Sequence, residues 1–185
     1  MSSCPVMRAD VDRIAEVRKS LVGARLEFVY YRQTRSSGLA VPPAGDSHEV
    51  DLDVVLGLST GIVSITWERV ELVEGLAISF PGPVPDVDEI ASVPAGDSAG
   101  WRPYIGNEIL GVHLGWQVSE LDCPESLWAL RLDFGTGDGV VVALGELDPD
   151  GKPGYHPDSL VVLFGEGMAR SYEPRGAIGS SWAEQ

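Results

Sequence analysis

The chain has 185 residues, 28 of them acidic and 13 basic, so its formal net charge is −15 at pH 7. This length is enough to bury a core without disulfides or metals, and we expect one domain over residues 1–185. The charge repels nucleic-acid phosphates, so we expect no nucleic-acid partner. Without an apolar run long enough to cross a bilayer, the sequence predicts no membrane association and a cytoplasmic location.

The charge is unevenly distributed along the chain. Residues 1–35 carry seven basic and four acidic side chains, whereas the remaining 150 residues carry six basic and twenty-four acidic ones. An acidic body of this kind keeps a protein soluble, and it also attracts a basic protein partner. Both interpretations stay open at this point.

The first half of the chain predicts one helix followed by strands. Asp10 or Asp12 caps a helix that runs to about Val22 and stops at Gly23. Alternating apolar residues then predict a strand over 26–32, and residues 33–47 form a loop. A hairpin follows over Val50–Trp67, and a short strand runs from Leu76 to Phe80.

The second half repeats the strand character after a linker. Residues 81–107 form a Pro/Gly-rich linker, with one helical turn predicted at Asp86 to Glu89. A strand over 108–117 leads to a hairpin over 128–146, whose tip is the glycine-rich segment 135–139. Ser159–Phe164 predicts a further strand, and Met168–Tyr172 a last one.

These patterns predict a mainly β protein, an antiparallel sandwich or barrel of about 8–10 strands with one N-terminal helix. The two hairpins align at an offset of 78 residues, which suggests two duplicated strand–hairpin–strand units over 24–80 and 108–165. Val140–Leu144 and Leu160–Phe164 are apolar on both faces, so their second face needs a cover. The N-terminal helix and a partner subunit are the two candidates.

The segment Gly96-Asp-Ser-Ala-Gly100 matches the G-x-S-x-G pattern of α/β-hydrolases. It also resembles the active-site serine segment of chymotrypsin-like proteases, which reads Gly-Asp-Ser-Gly-Gly. That resemblance implies a nucleophilic Ser98 with His48 or His156 as its base. Pro94 and Pro103 flank the segment, however, and Ala99 replaces a family glycine.

Other catalytic and metal patterns are weak. The three histidines lie far apart in the sequence, and no nucleotide-binding glycine motif is present, so we expect no metal and no cofactor. His48 with Glu49, Asp51 and Asp53 offers metal ligands, but a solvated acidic strand face explains these carboxylates more simply. Asp133 and Glu146 form a potential acid–base pair, and an ion pair between Asp133 and Arg131 is the simpler explanation.

Two aromatic segments are candidate binding loops, because Trp, Tyr and Arg contribute most to contact energies. The alternative is that their rings anchor the loops onto the core. The candidate binding residues are Trp101, Arg102, Tyr104, Tyr155 and His156.

Taken together, these features favour a non-enzymatic binding protein. The concrete hypothesis is an acidic inhibitor or immunity-type protein that neutralises a basic protein partner, since charge complementarity accelerates such encounters. One alternative is a small-ligand-binding β-barrel lined by Trp67, Trp116 and Trp128. The other is a serine hydrolase that uses Ser98.

Overall fold

A computed structural model describes residues 4–34, 45–80, 89–135 and 139–178. These residues form two helices, α1 (Val11–Leu21) and α2 (Glu166–Arg170). The first six strands are β1 (Leu26–Thr34), β2 (Ser47–Val50), β3 (Asp53–Leu58), β4 (Gly61–Val70), β5 (Val73–Ser79) and β6 (Ile90–Pro94). The others are β7 (Gly111–Gln117), β8 (Ser126–Asp133), β9 (Gly139–Leu144), β10 (Glu146–Leu147), β11 (Pro153–Gly154), β12 (Leu160–Phe164) and β13 (Ala177–Ile178).

Two antiparallel sheets carry most of these strands. Sheet 1 has the order β5-β4-β3-β1-β6, and sheet 2 has the order β13-β7-β8-β9-β12-β2. Strand β5 of sheet 1 packs against β8 of sheet 2, and the short ribbon β10–β11 lies apart from both sheets. The architecture is therefore a sandwich and not a closed barrel, which confirms the mainly β prediction and decides between its two forms. None of the described helices is long and apolar enough to span a bilayer.

Helix α1 forms where its caps predict it. The Asp10 side chain accepts a hydrogen bond from the Arg13 amide at 3.0 Å, and Gly23 follows the helix with a φ of 83°. The Arg13 guanidinium reaches the Ile78 carbonyl and lies 5.2 Å from the centre of the Phe80 ring. These contacts place α1 beside the end of β5.

The centre of sheet 2 is buried on both faces, as its apolar strands predict. Every residue of β9 and β12 is buried. Helix α2 packs against β12, and the Tyr172 hydroxyl donates to the Leu144 carbonyl. The C-terminal segment therefore contributes to the cover of these strands.

Three predicted elements differ from the structure. The predicted strand 50–56 is divided, because β2 pairs with β12 in sheet 2 whereas β3 pairs with β1 and β4 in sheet 1. The predicted strand Met168–Tyr172 is mostly helix α2. The predicted linker contains β6, which extends sheet 1. The helical turn predicted at 86–89 falls almost entirely outside the described residues.

The two halves of the chain have the same strand order. In sheet 1, β1, β3, β4 and β5 are successive antiparallel neighbours, and the next strand, β6, returns to pair with β1. In sheet 2, β7, β8, β9 and β12 are arranged in the same way, and β13 returns to pair with β7. This is the arrangement that a duplicated unit requires, and the duplication itself stays a prediction.

Candidate functional site

Two surface turns at one end of the sandwich are held together by the backbone of Glu74. The Glu74 carbonyl accepts hydrogen bonds from Gln117 Nε2 at 3.2 Å, Ser119 Oγ at 3.1 Å and Ser126 Oγ at 2.6 Å. The Glu74 amide donates to Ser119 Oγ at 3.0 Å. These bonds join the start of β5 to the loop between β7 and β8, so the two turns form one continuous surface.

We name this surface the acidic tip and define it as residues 70–72 and 120–122. Its three apolar side chains point into solvent: Leu121 is 89% exposed, Leu72 is 56% exposed and Val70 is 48% exposed. The other three residues are the carboxylates Glu71, Glu120 and Asp122. Within the described part of the chain, none of these carboxylates has an ion-pair partner within 4.0 Å.

The backbone of the acidic tip is strained at two positions. Glu71 has a φ of 57° and Asp122 a φ of 67°, and they are the only non-glycine residues with positive φ in the described ranges. The left-handed region costs about 1–2 kcal/mol for a residue with a side chain. Such conformations concentrate at binding and catalytic sites, where surrounding structure maintains them.

Tyr155, one of the sequence-predicted binding residues, lies at the base of this surface. Its hydroxyl donates to Glu74 Oε2 at 2.8 Å and accepts from Gln117 Nε2 at 3.0 Å. Burial, together with the carboxylate of Glu74, raises the pKa of the Tyr155 phenol, so it stays protonated at neutral pH. Its neighbour His156 contacts Ser159 instead, at 3.4 Å between Nδ1 and Oγ.

Sequence reasoning did not single out the leucines of the acidic tip. The available signal was local: Leu72 follows Glu71 in a two-residue hairpin turn, and Leu121 lies between Glu120 and Asp122. A large apolar residue at a turn beside acidic residues has no core to enter. Its exposure therefore follows from the position of the turn.

The other predicted binding loop lies elsewhere and has a divided role. Trp101 and Tyr104 are buried, and the Tyr104 ring packs 4.9 Å from the centre of the Phe134 ring. Arg102 between them is exposed and lines a groove of about 370 Å³ with Phe28 and Tyr30. Two of the three loop side chains thus anchor the loop, and the third faces solvent.

Beneath this loop lies a buried chain of polar aromatic side chains. The Trp101 indole donates to the Tyr31 hydroxyl at 2.6 Å, and that hydroxyl lies 2.7 Å from His48 Nδ1. The indole can only donate, so the Tyr31 hydroxyl accepts from it. Donation of the hydroxyl hydrogen to Nδ1 then gives that hydrogen a partner and places the His48 proton on Nε2. His48 Nε2 is buried and has no partner among the described residues. Burial lowers the pKa of His48 to about 4, so the ring is neutral at pH 7.

The three residues of the serine-hydrolase alternative have separate partners. Ser98 Oγ accepts from the Trp101 amide at 3.3 Å, His48 contacts Tyr31, and His156 contacts Ser159. Within the ranges that the structure describes, no hydrogen bond joins Ser98 to either histidine.

Of the two glycines of the G-x-S-x-G segment, only Gly100 is packed too closely to carry a side chain. A Cβ at Gly100 would overlap the ring of Phe164, which itself packs against Trp101. The atoms nearest to a Cβ at Gly96 would be Ile105 Cδ1 at 3.4 Å, the Val29 amide nitrogen at 3.6 Å and Ile105 Cγ1 at 3.7 Å, which are ordinary contacts. Packing of the core therefore requires glycine at position 100, but not at position 96.

A group of charged side chains links sheet 2 to helix α2. Arg131 donates to Asp133 Oδ1 and to Glu166 Oε2, both at 2.7 Å, and Asp133 Oδ2 lies 2.6 Å from His113 Nε2. Arg170 and Arg131 lower the pKa of Glu166, so its carboxylate stays ionised. The ion pair expected between Arg131 and Asp133 is present, and the group is a structural connection between β8 and α2.

No group of three or more His, Cys, Asp or Glu side chains suited to a metal occurs among the described residues. Cys4 and Cys123 are both free thiols. Comparison of this chain with protein-family models, with curated proteins and with solved structures gave no match.

Proposed function

We propose that this chain is a non-enzymatic binding protein that docks onto a basic protein through its acidic tip, as an inhibitor or immunity-type protein does. The observation that carries the proposal is the pair of exposed leucines, Leu72 and Leu121, among three carboxylates that have no ion-pair partner among the described residues. Protein interfaces combine apolar anchors with a polar rim, and binding energy concentrates in the few side chains that become desolvated.

Rigidity supports this assignment. Cys123 Sγ lies 3.8 Å from the Leu72 carbonyl, and the Glu74 bonds hold the same two turns. A surface that is already ordered loses little conformational entropy on binding, which favours affinity. The net charge of −15 adds long-range attraction for a basic partner.

The test compares the wild-type protein with Leu72→Ala and Leu121→Ala, using Leu110→Ala as the matched control. Leu110 is 57% exposed but precedes β7 and lies outside the acidic tip. Proteins of high isoelectric point retained on the immobilised wild type are identified, and the dissociation constant of the best retained one is measured. We expect each tip variant to weaken binding about tenfold, which corresponds to roughly 1.4 kcal/mol, and the control to bind as wild type.

Neutralising the carboxylates of the acidic tip tests the same proposal independently. The triple variant Glu71→Gln, Glu120→Gln, Asp122→Asn should slow association and reduce its dependence on salt, because these carboxylates steer the basic partner. A retained partner that binds all of these variants equally well would refute docking through the acidic tip. Failure to retain any basic protein would refute the proposed function itself.

A further inference from the structure

A second candidate site lies far from the acidic tip, on the outer face of sheet 1. The groove of about 370 Å³ runs between β1 and the loop that follows β6. Phe28, on the floor of the groove, is in register with Gly57 of β3, which is in turn in register with Ile62 of β4. The acidic tip begins at Val70, eight residues further along β4, or roughly 26 Å away. The two surfaces are therefore separate.

The groove contains charges of both signs, and its described residues form no ion pair with one another. Glu27, Asp97 and Arg102 line it. Among the described residues, no ion-pair partner lies within 4.0 Å of any of the three. Arg102 uses one Nη2 hydrogen to reach the Asp97 carbonyl oxygen at 2.7 Å, which leaves its other donors available.

The floor of the groove is apolar and fixed in position. The rings of Phe28 and Tyr30 lie 5.3 Å apart at an angle of 61°, and they are 37% and 36% exposed. A Cβ at Gly57 would overlap the Phe28 ring, so that ring rests directly on the backbone of β3. Aromatic rings in such a position offer apolar area at a low cost in conformational entropy.

We propose that this groove binds a small zwitterion with an apolar body, of the dipeptide class. The ammonium group of such a ligand pairs with Glu27 and Asp97, its carboxylate pairs with Arg102, and its side chains lie on Phe28 and Tyr30. A simple cation leaves Arg102 facing it without a partner, and a simple anion faces two carboxylates. The ends of an extended dipeptide are roughly 7 Å apart, so its two charges can pair with different side chains of the groove.

The experiment measures binding of the dipeptide Ala-Phe to the full chain by isothermal titration calorimetry. N-acetyl-Ala-Phe and Ala-Phe-amide each lack one charge, and we expect each to bind at least tenfold more weakly. In Arg102→Gln the preference for the free carboxylate disappears, and in Glu27→Gln with Asp97→Asn the preference for the free amine disappears. Arg175→Gln, which changes an exposed arginine outside the groove, should bind Ala-Phe as wild type does.

Two results would overturn the proposal. The first is no binding of Ala-Phe at millimolar concentration by a wild-type protein that unfolds cooperatively. The second is equal binding of the free and capped dipeptides. Leu72→Ala and Leu121→Ala should leave Ala-Phe binding unchanged, so the result here is independent of the acidic tip.

Discussion

His48 shows how a single polar residue is accommodated in an apolar interior. Its ring packs against Phe164 at 4.8 Å between ring centres, and its Nδ1 receives the Tyr31 hydroxyl hydrogen. The Nε2–H has no hydrogen-bond partner among the described residues, and protonation of the ring would add a buried charge. The neutral ring is therefore the stable form in the folded protein.

This environment makes stability depend on pH. Below pH 6.5 the unfolded chain takes up a proton at His48, whereas the folded chain does not until about pH 4. The neutral ring therefore makes its full contribution to the free energy of unfolding above pH 6.5, and this contribution is lost progressively as the pH falls towards 4. Between pH 6.5 and about 5, we expect the free energy of unfolding to fall by about 2 kcal/mol.

Urea unfolding of wild type and His48→Gln at several pH values measures this decrease, because the variant lacks it. A His156→Gln control should keep it, and identical slopes for wild type and His48→Gln would contradict the assignment.

Gly96 and Gly100 allow a second test with a matched pair. Gly100→Ala should destabilise the protein by roughly 1–3 kcal/mol, because the new methyl group overlaps the Phe164 ring. Gly96→Ala should change stability by less than about 1 kcal/mol, because the atom nearest to its methyl group, Ile105 Cδ1, is 3.4 Å away, an ordinary contact distance. Thermal or urea unfolding of both variants checks the difference. Equal effects would mean that the packing of the segment differs from the one described.

At the scale of elements, the β4–β5 turn of the acidic tip maintains an unfavourable backbone conformation. Glu71→Gly removes the left-handed strain and should stabilise the protein by about 0.5–1 kcal/mol, even after the greater entropy of glycine in the unfolded chain. Glu68→Gly, within the regular strand β4, should instead destabilise it by a similar amount. Chemical unfolding of the two variants measures this contrast. If Glu71→Gly also proved destabilising, the strain would be absent.

Elements also show where sequence patterns are incomplete. The alternation predicted over 50–56 is only partly present: Val50, Val54 and Leu56 are buried, but Leu52 is half-buried and Val55 is buried as well. Alternation of apolar residues predicts only that side chains are buried, however, and does not predict which sheet buries them. The segment at Asp51 and Leu52 passes from one sheet to the other, and burial alternates along β2 but not along β3. Likewise, Met168–Tyr172 is short, and a five-residue pattern does not distinguish a strand from a helical turn.

At the scale of the whole molecule, the two similar halves are interlocked. Strand β2 of the first half pairs with β12 of the second. Val6 joins the halves through two further bonds, from its amide to the Leu76 carbonyl at 2.9 Å and from the Leu127 amide to its own carbonyl at 2.8 Å. Each sheet also buries the inner face of the other, so neither half has a complete core.

We therefore expect the fragments 1–80 and 81–185 to be unfolded when each is produced alone. Far-UV circular dichroism and urea titration should show no cooperative transition for either fragment, and mixing the two should restore β signal. The intact chain should unfold in one transition, which serves as the control. A fragment that unfolds cooperatively alone would show that the halves are independent domains.

The sequence by itself determined the fold class, the position of α1, the buried strands β9 and β12 and the excess of negative charge. These features follow from local periodicity, capping residues and composition, which act over a few neighbouring residues. Only the tertiary structure decided which strands share a sheet, that Trp101 is buried while Arg102 lines a groove, and that two distant turns form the acidic tip. Those outcomes depend on contacts between residues far apart in the chain, such as the contacts of the Glu74 carbonyl with Ser119 and Ser126. Local sequence patterns do not predict which distant residues will make such contacts.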